Sequence, residues 1–175
     1  MILGIVYFYR KPTRYSVEND NTIITSPADG EIVAIEPIYE ERYFGRKVIQ
    51  VSIFLSPLDV HYQWCPINGK VVYTDYQKGN HNHARLPKSS SENERSLIVI
   101  KVNNRTEIAV RQIAGALARR VVTYIHDGEY VNRNTLLGLI KLGSRVDLYL
   151  PINTNILVKN GDRVIANKSI IGKLM

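Results

Sequence analysis

Apolar and polar positions in this chain change over in short runs, and helical amphipathic stretches are scarce. Lys47 to Leu55 carries Val48, Val51, Ile53 and Leu55, a β-branched set that reads as a buried strand. Thr22 to Thr25, Glu31 to Ile35, Lys70 to Thr74 and Val121 to Ile125 are further β-prone runs. Leu97 to Val102 and Thr106 to Val110 read as a hairpin around Asn103-Asn104-Arg105. Leu136 to Leu142 is largely apolar and leads into Gly143-Ser144, and Val146, Leu148 and Leu150 alternate beyond it. Turns separate the runs. In Ser26-Pro27-Ala28-Asp29-Gly30, Pro27 fixes φ and Asp29-Gly30 is a turn pair. His126-Asp127-Gly128-Glu129 is a second turn, and Asn160-Gly161-Asp162 suits a compact C-terminal hairpin. Pro37 to Arg46 and Tyr62 to Gly69 read as loops. The polar stretch from Gln77 to Arg95, with serines at 89, 90 and 91, reads as a mobile excursion. The pattern predicts a mainly β fold with minor α, one or two short helices at most, arranged as a compact β barrel or sandwich.

Composition narrows the partner. A chain of 175 residues fits a single domain, 1–175, and 45% hydrophobic residues exclude a disordered chain. Twenty-three basic residues against 16 acidic ones leave a formal +7. That excess suits an anionic partner, nucleic acid or an anionic lipid surface, and charge sign alone does not choose. The single Cys65 excludes an internal disulfide framework and a paired-cysteine zinc site. Met1 to Tyr9 is apolar and aromatic and precedes Arg10, Lys11 and Arg14. It is shorter than the roughly 20 apolar residues of a membrane span. Three readings stand: the stub of an anchor, an interfacial segment, or a plain first strand.

Candidate chemistry centres on Gly143-Ser144. Most Gly-Ser pairs are tight bends. Glycine also lets other atoms approach its carbonyl, and the next hydroxyl can attack that carbonyl if a base removes its proton. The amide then becomes an ester. Elimination across Ser144 breaks the chain and leaves a pyruvoyl group, an electrophilic ketone that condenses with an amine substrate and draws electrons from it. His61 follows a predicted strand beside a turn, where a side chain can be aimed into a site; a structural, hydrogen-bonded histidine is the other reading. His81 and His83 lie two residues apart with no third ligand in clear register, so no metal site is expected. Arg119-Arg120 reads either as a solvated pair or as a phosphate holder.

Separated motifs then match one family. They are Ser26-Pro27-Ala28-Asp29-Gly30; Phe54-Leu55-Ser56-Pro57-Leu58-Asp59-Val60-His61 with Pro66 and Gly69; Glu92-Asn93-Glu94-Arg95; Ala114-Gly115 with Ala118-Arg119-Arg120; and Gly138-Leu139-Ile140-Lys141-Leu142-Gly143-Ser144-Arg145-Val146-Asp147. From about Tyr7 to the C-terminus, the chain resembles the phosphatidylserine decarboxylases, most closely their short form, which includes archaetidylserine decarboxylases.

The resemblance implies a membrane-associated enzyme at the cytoplasmic face, with residues 1–20 next to the membrane. Its substrate would be a serine phospholipid, phosphatidylserine or archaetidylserine, and its product the ethanolamine phospholipid. It implies self-cleavage between Gly143 and Ser144, giving a β chain 1–143 and an α chain 144–175 that carries a self-generated pyruvoyl group. It implies a homo-oligomer, no metal, no nucleic acid, and a C-terminal hairpin similar to the biotinyl and lipoyl carrier domains. Ser144, His61 and Asp29 become the catalytic set: Ser144 gives the hydroxyl and the pyruvoyl frame, His61 the base, and Asp29 orients or charge-stabilises the histidine. Arg119, Arg120, Lys141 and Arg145 form the pool for the substrate phosphate.

Three departures from the family pattern stand out. Longer members carry a second histidine three residues after the first, where this chain has Trp64. Leu142 stands where short members usually have phenylalanine. Short members begin with hydrophobic spans, and this chain starts where those end, which fits a peripheral or a truncated version. A non-catalytic β module of the same family, binding anionic lipid, is the alternative function.

Overall fold

The computed structural model describes residues 9–16, 18–79, 93–115, 120–141 and 144–175, and among these it contains strands and turns but no helix. The chain is mainly β, as expected, and the minor α content is not found among the described residues. The strands are β1 (Ile23–Thr25), β2 (Gly30–Glu40), β3 (Arg46–Leu55), β4 (Tyr62–Trp64), β5 (Gly69–Gln77), β6 (Arg95–Lys101) and β7 (Glu107–Ile113). They continue as β8 (Val121–Thr123), β9 (Tyr130–Val131), β10 (Leu136–Ile140), β11 (Ser144–Pro151), β12 (Asn155–Ile156), β13 (Arg163–Val164) and β14 (Ile170–Lys173). One eight-stranded sheet runs β13-β2-β3-β11-β7-β6-β5-β9 and curls into a half-barrel. Two three-stranded sheets, β1-β14-β12 and β4-β10-β8, complete the described strands.

The large sheet is apolar on both faces. Val51, Ile53, Leu55, Ile98, Ile100, Ile108, Val110, Val146, Leu148 and Leu150 form the main core on one face. On the other, Val48, Leu97, Val99, Ala109 and Tyr149 make a second cluster, covered in part by Tyr43 and Phe44. Burial on both faces explains the near-continuous β-branched runs of β3, β6 and β7. The expected alternation in β11 locates the inward side chains correctly, but its other face is buried too.

Four elements differ from the sequence reading. β2 runs on through Pro37 to Glu40, where a loop was expected. β13 pairs only with Gly30 and Glu31, so beyond them β2 is an edge strand and can accommodate a proline without an N–H. Tyr62–Trp64 forms β4, pairing with β10, where the whole of Tyr62 to Gly69 was expected to be loop. Asn160-Gly161-Asp162 does turn, with Gly161 at φ 90°, but the strands beside it part company. β12 pairs with β14 and β13 with β2, so the turn links two sheets and does not close a simple hairpin. The polar excursion joins two paired strands, Gln77 of β5 standing opposite Arg95 of β6. Its residues 80–92, with His81, His83 and Ser89 to Ser91, lie outside the described residues, as do residues 1–8.

Candidate active site

Ser144 opens β11 opposite Leu55, the last residue of β3. It has the same strand parity as Val146, Leu148 and Leu150, so its side chain belongs to the core face. It is fully buried, and its Oγ has no hydrogen-bond partner among the described residues. An orphaned buried hydroxyl costs about 1–3 kcal/mol, so nothing in folding favours a serine here over alanine. Gly143 and Leu142 lie outside the described residues.

The chain leaves β3 at Leu55 and reaches His61 through a braced turn. Asp59 N–H donates to the Ser56 carbonyl at 3.0 Å, and Ser56 N–H donates back to Asp59 Oδ2 at 2.8 Å. Arg163 of β13 ion-pairs with the same carboxylate. Burial pushes the Asp59 carboxyl up, but the bonds from Arg163 and Ser56 outweigh it and leave its pKa below the ordinary value.

His61 is fully buried. Its Nδ1 lies 2.9 Å from the Asp59 carbonyl oxygen, an atom that can only accept. The proton is therefore on Nδ1, and Nε2 carries the lone pair. Burial, the largest influence, lowers the imidazole pKa from 6.5 to about 4, so the side chain is in its base form at neutral pH. The His61 carbonyl accepts from Ile140 N–H at 3.2 Å. Ile140 ends β10, four positions before Ser144. Two independent connections, β3 with β11 and His61 with β10, thus bring the histidine and the serine to the same end of the barrel.

Asp29 reaches this corner through its turn. Trp64 N–H donates to the Pro27 carbonyl at 3.0 Å, tying the turn to β4. Gly30 keeps it close to β3, because a Cβ there would stand 2.3 Å from the Phe54 carbonyl oxygen. The Asp29 carboxylate does not bond to His61. It pairs with Arg14 and accepts Ala166 N–H at 2.8 Å, and it acts on His61 through charge alone.

Sequence reasoning missed a buried amide relay behind the histidine. Gln63 Nε2 donates to the His61 carbonyl. Gln112 Nε2 donates to Gln63 Oε1 at 2.8 Å. Gln112 Oε1 accepts from Ser96 Oγ at 2.8 Å and Thr123 Oγ1 at 2.9 Å. The only signal along the chain is a glutamine where strand parity calls for an apolar residue. Gly138 is the closest packing point, since a Cβ there would meet the Val122 carbonyl at 2.2 Å and Gln112 Nε2 at 2.7 Å.

The comparisons with known proteins cover nearly all of this frame. The profile of the phosphatidylserine decarboxylase family matches residues 3–172. The chain belongs to that family. It is 43% identical over 174 residues to a phosphatidylserine decarboxylase proenzyme of Parabacteroides distasonis, covering 99% of this chain and 79% of that one. It is 46% identical over 172 residues to the enzyme of the same name from Bacteroides fragilis, covering 98% and 75%. A third, from Amoebophilus asiaticus, is 45% identical over 172 residues, covering 98% and 76%.

The decarboxylase scaffold sorts the expected cations. Lys141 N–H donates to the Arg120 carbonyl at 3.1 Å, so these two residues are neighbours, and Arg120 is exposed. Arg119 lies outside the described residues. Arg145 sits differently from Arg120 and Lys141. It has the parity opposite to Ser144 and forks onto Asp147, Nε to Oδ1 at 2.8 Å and Nη2 to Oδ2 at 2.9 Å. Both side chains are buried in the sheet. The Asn93-Glu94 motif is a clasp: Asn93 Nδ2 donates to the Ala114 carbonyl at 2.6 Å and Glu94 Oε1 accepts Val121 N–H at 2.9 Å. Among the described residues no three His, Cys, Asp or Glu form a metal set, and no helix is long and apolar enough to cross a membrane.

Proposed function

We propose that this chain removes the carboxyl group of a serine phospholipid, phosphatidylserine or archaetidylserine, after cleaving itself between Gly143 and Ser144. The observation that carries this reading is the buried, unpartnered Ser144 Oγ, delivered to the end of the barrel that holds a neutral His61. The names of the relatives, which call them proenzymes, support a maturation step.

His61 Nε2 takes the Ser144 Oγ proton, and Oγ adds to the Gly143 carbonyl carbon. The C–N bond breaks, the Ser144 nitrogen takes a proton, and an ester links Gly143 to Ser144 Oγ. A base then removes the Ser144 α-proton. The Cβ–Oγ bond breaks, Gly143 leaves as a carboxylate, and a dehydroalanine remains at residue 144. Its imine tautomer reacts with one water, releases ammonia and leaves the pyruvoyl ketone. The residues present fit that group: its frame is residue 144 itself, buried, with a serine oxygen that has no hydrogen-bond partner among the described residues. Once formed, the ketone supplies an electron sink for an amine substrate losing CO2.

The rest falls to the chain. Burial around His61 excludes water, and in this reading the histidine returns the proton that replaces the departing carboxyl. Arg120 and Lys141, side by side, bind the phosphate. The formal +7 charge and an exposed Leu58, in the turn leading to His61, support docking on an anionic membrane surface. We place the mature protein there, at the cytoplasmic face, as a homo-oligomer of paired β and α chains.

Intact mass under denaturing conditions tests the reading. Two fragments divided at Gly143-Ser144 are expected, the smaller with a pyruvoyl mass and no amino terminus. They should release CO2 from vesicles containing a serine headgroup lipid. A single full-length chain that binds such vesicles without releasing CO2 would instead identify the non-catalytic lipid-binding module.

A further inference from the structure

Two carboxylates act on His61, and each is matched by an arginine from a distant part of the chain. Asp59, in the histidine's own turn, is held by Arg163 of β13. Asp29, from the turn between β1 and β2, is held by Arg14 of the N-terminal segment. The second pair is the better enclosed. Arg14 and Asp29 are only 11% and 13% exposed, against 60% for Arg163. Arg14 also engages Asp29 as a fork, Nη1 on Oδ1 and Nη2 on Oδ2 at 2.8 Å. Its Nη1 reaches the Ala166 carbonyl at 3.3 Å, and its guanidinium lies 5.3 Å from the centre of the Trp64 ring. A planar cation with two acceptors and an aromatic face is fixed in place, and lysine cannot reproduce that geometry.

We infer that Arg14 is a positioning residue for self-cleavage: it fixes Asp29 and cancels its charge, and so keeps His61 in the form that accepts the Ser144 proton. This rests on the self-cleavage reading above. Among the described residues, charged groups that act on His61 include Asp59, Arg10 and Asp29. Arg10, anchored on the Leu58 carbonyl at 2.6 Å, favours neutral imidazole, while the two carboxylates favour imidazolium. Removing the Arg14 charge leaves Asp29 unopposed in a poorly solvated corner. The imidazolium gains, and a higher pH is then needed to produce the base.

The test has two readouts. The first is the NMR titration of the His61 ring in Ser144→Ala protein, which stays a single chain and needs no cleavage. Adding Arg14→Gln should move the titration upward by about one pH unit. Arg14→Lys, which keeps the charge, should stay near the parent value. Adding Arg14→Gln to an Asp29→Asn protein should move nothing further, since no carboxylate is left to expose. Arg14→Met keeps contact with Trp64 and replaces the glutamine variant if that one does not fold. The second readout is the pH dependence of cleavage, followed by intact mass in proteins that retain Ser144. Its acid limb should move upward with Arg14→Gln and stay in place with Arg14→Lys. An Arg14 that merely anchors the N-terminal segment would lower the melting temperature and leave both profiles in place, and that result overturns the inference. Wild-type protein that stays whole at every pH would overturn self-cleavage, while the titration still reads the Arg14 effect on its own.

Discussion

The Ile140 N–H and the His61 carbonyl meet at 3.2 Å, which ties the histidine's backbone to the strand that feeds Ser144. The residue is therefore held at its backbone by this bond and at its ring by the Asp59 carbonyl on Nδ1. Its burial has a cost that pH exposes. The folded pKa is about 4, below the ordinary 6.5, so between these values the unfolded chain binds more protons than the folded one. Stability therefore rises with pH across that window and is lost as pH falls from 6.5 towards 4. The loss is on the order of 3 kcal/mol. Urea unfolding of Ser144→Ala at pH 7 and pH 4.5, compared with the same protein carrying His61→Gln, measures it. The glutamine protein should show the smaller difference.

Gly138 is the point where β8, β10 and the amide relay crowd together. Gly138→Ala places a methyl 2.2 Å from the Val122 carbonyl, a backbone atom that cannot swing aside. A loss of about 1–3 kcal/mol is expected, with slower cleavage because β10 carries the chain to Ser144. Denaturant midpoints and a cleavage time course give both quantities.

The cations differ in burial. Arg145→Gln removes one partner of a buried ion pair and should cost about 3–5 kcal/mol. Lys141→Gln should leave stability within about 0.5 kcal/mol and raise KM for the phospholipid. Paired thermal melts and vesicle assays separate the two. An Arg145 variant of normal stability and raised KM would return that residue to the phosphate pool.

Gln112→Leu tests the relay. Ser96, Thr123 and Gln63 each lose a partner, and the deficit should be about 1–3 kcal/mol with an unchanged m-value.

Much of this frame was legible along the chain, for physical reasons that also mark where it stopped. β3 and the β6–β7 hairpin announce themselves because both faces of their sheet are buried, which demands runs of Val and Ile. β4 was read as loop because it is three residues long and one of them is Gln63, whose amide serves the relay. Pro37 hid the second half of β2, since the sequence does not say which edge lacks a partner. The grouping of His61, Asp29 and Ser144 followed from family motifs, not from periodicity. Arg14 carries no such mark. It lies 15 residues from Asp29, and only the fold brings it there.

β11 lies between β3 and β7, β14 lies between β1 and β12, and β13 lies along β2. A cut between Gly143 and Ser144 therefore does not divide a body from an appendage. The short piece supplies an inner stave of the barrel and the middle strand of a second sheet, gripped on several sides by the long piece. If the proposed cleavage occurs, the mature enzyme would be a heterodimer by history and not by encounter. Its unfolding would then be bimolecular, and its midpoint should depend on protein concentration where that of the uncut chain does not. Refolding would require two strangers to rebuild a sheet that was first woven as one thread.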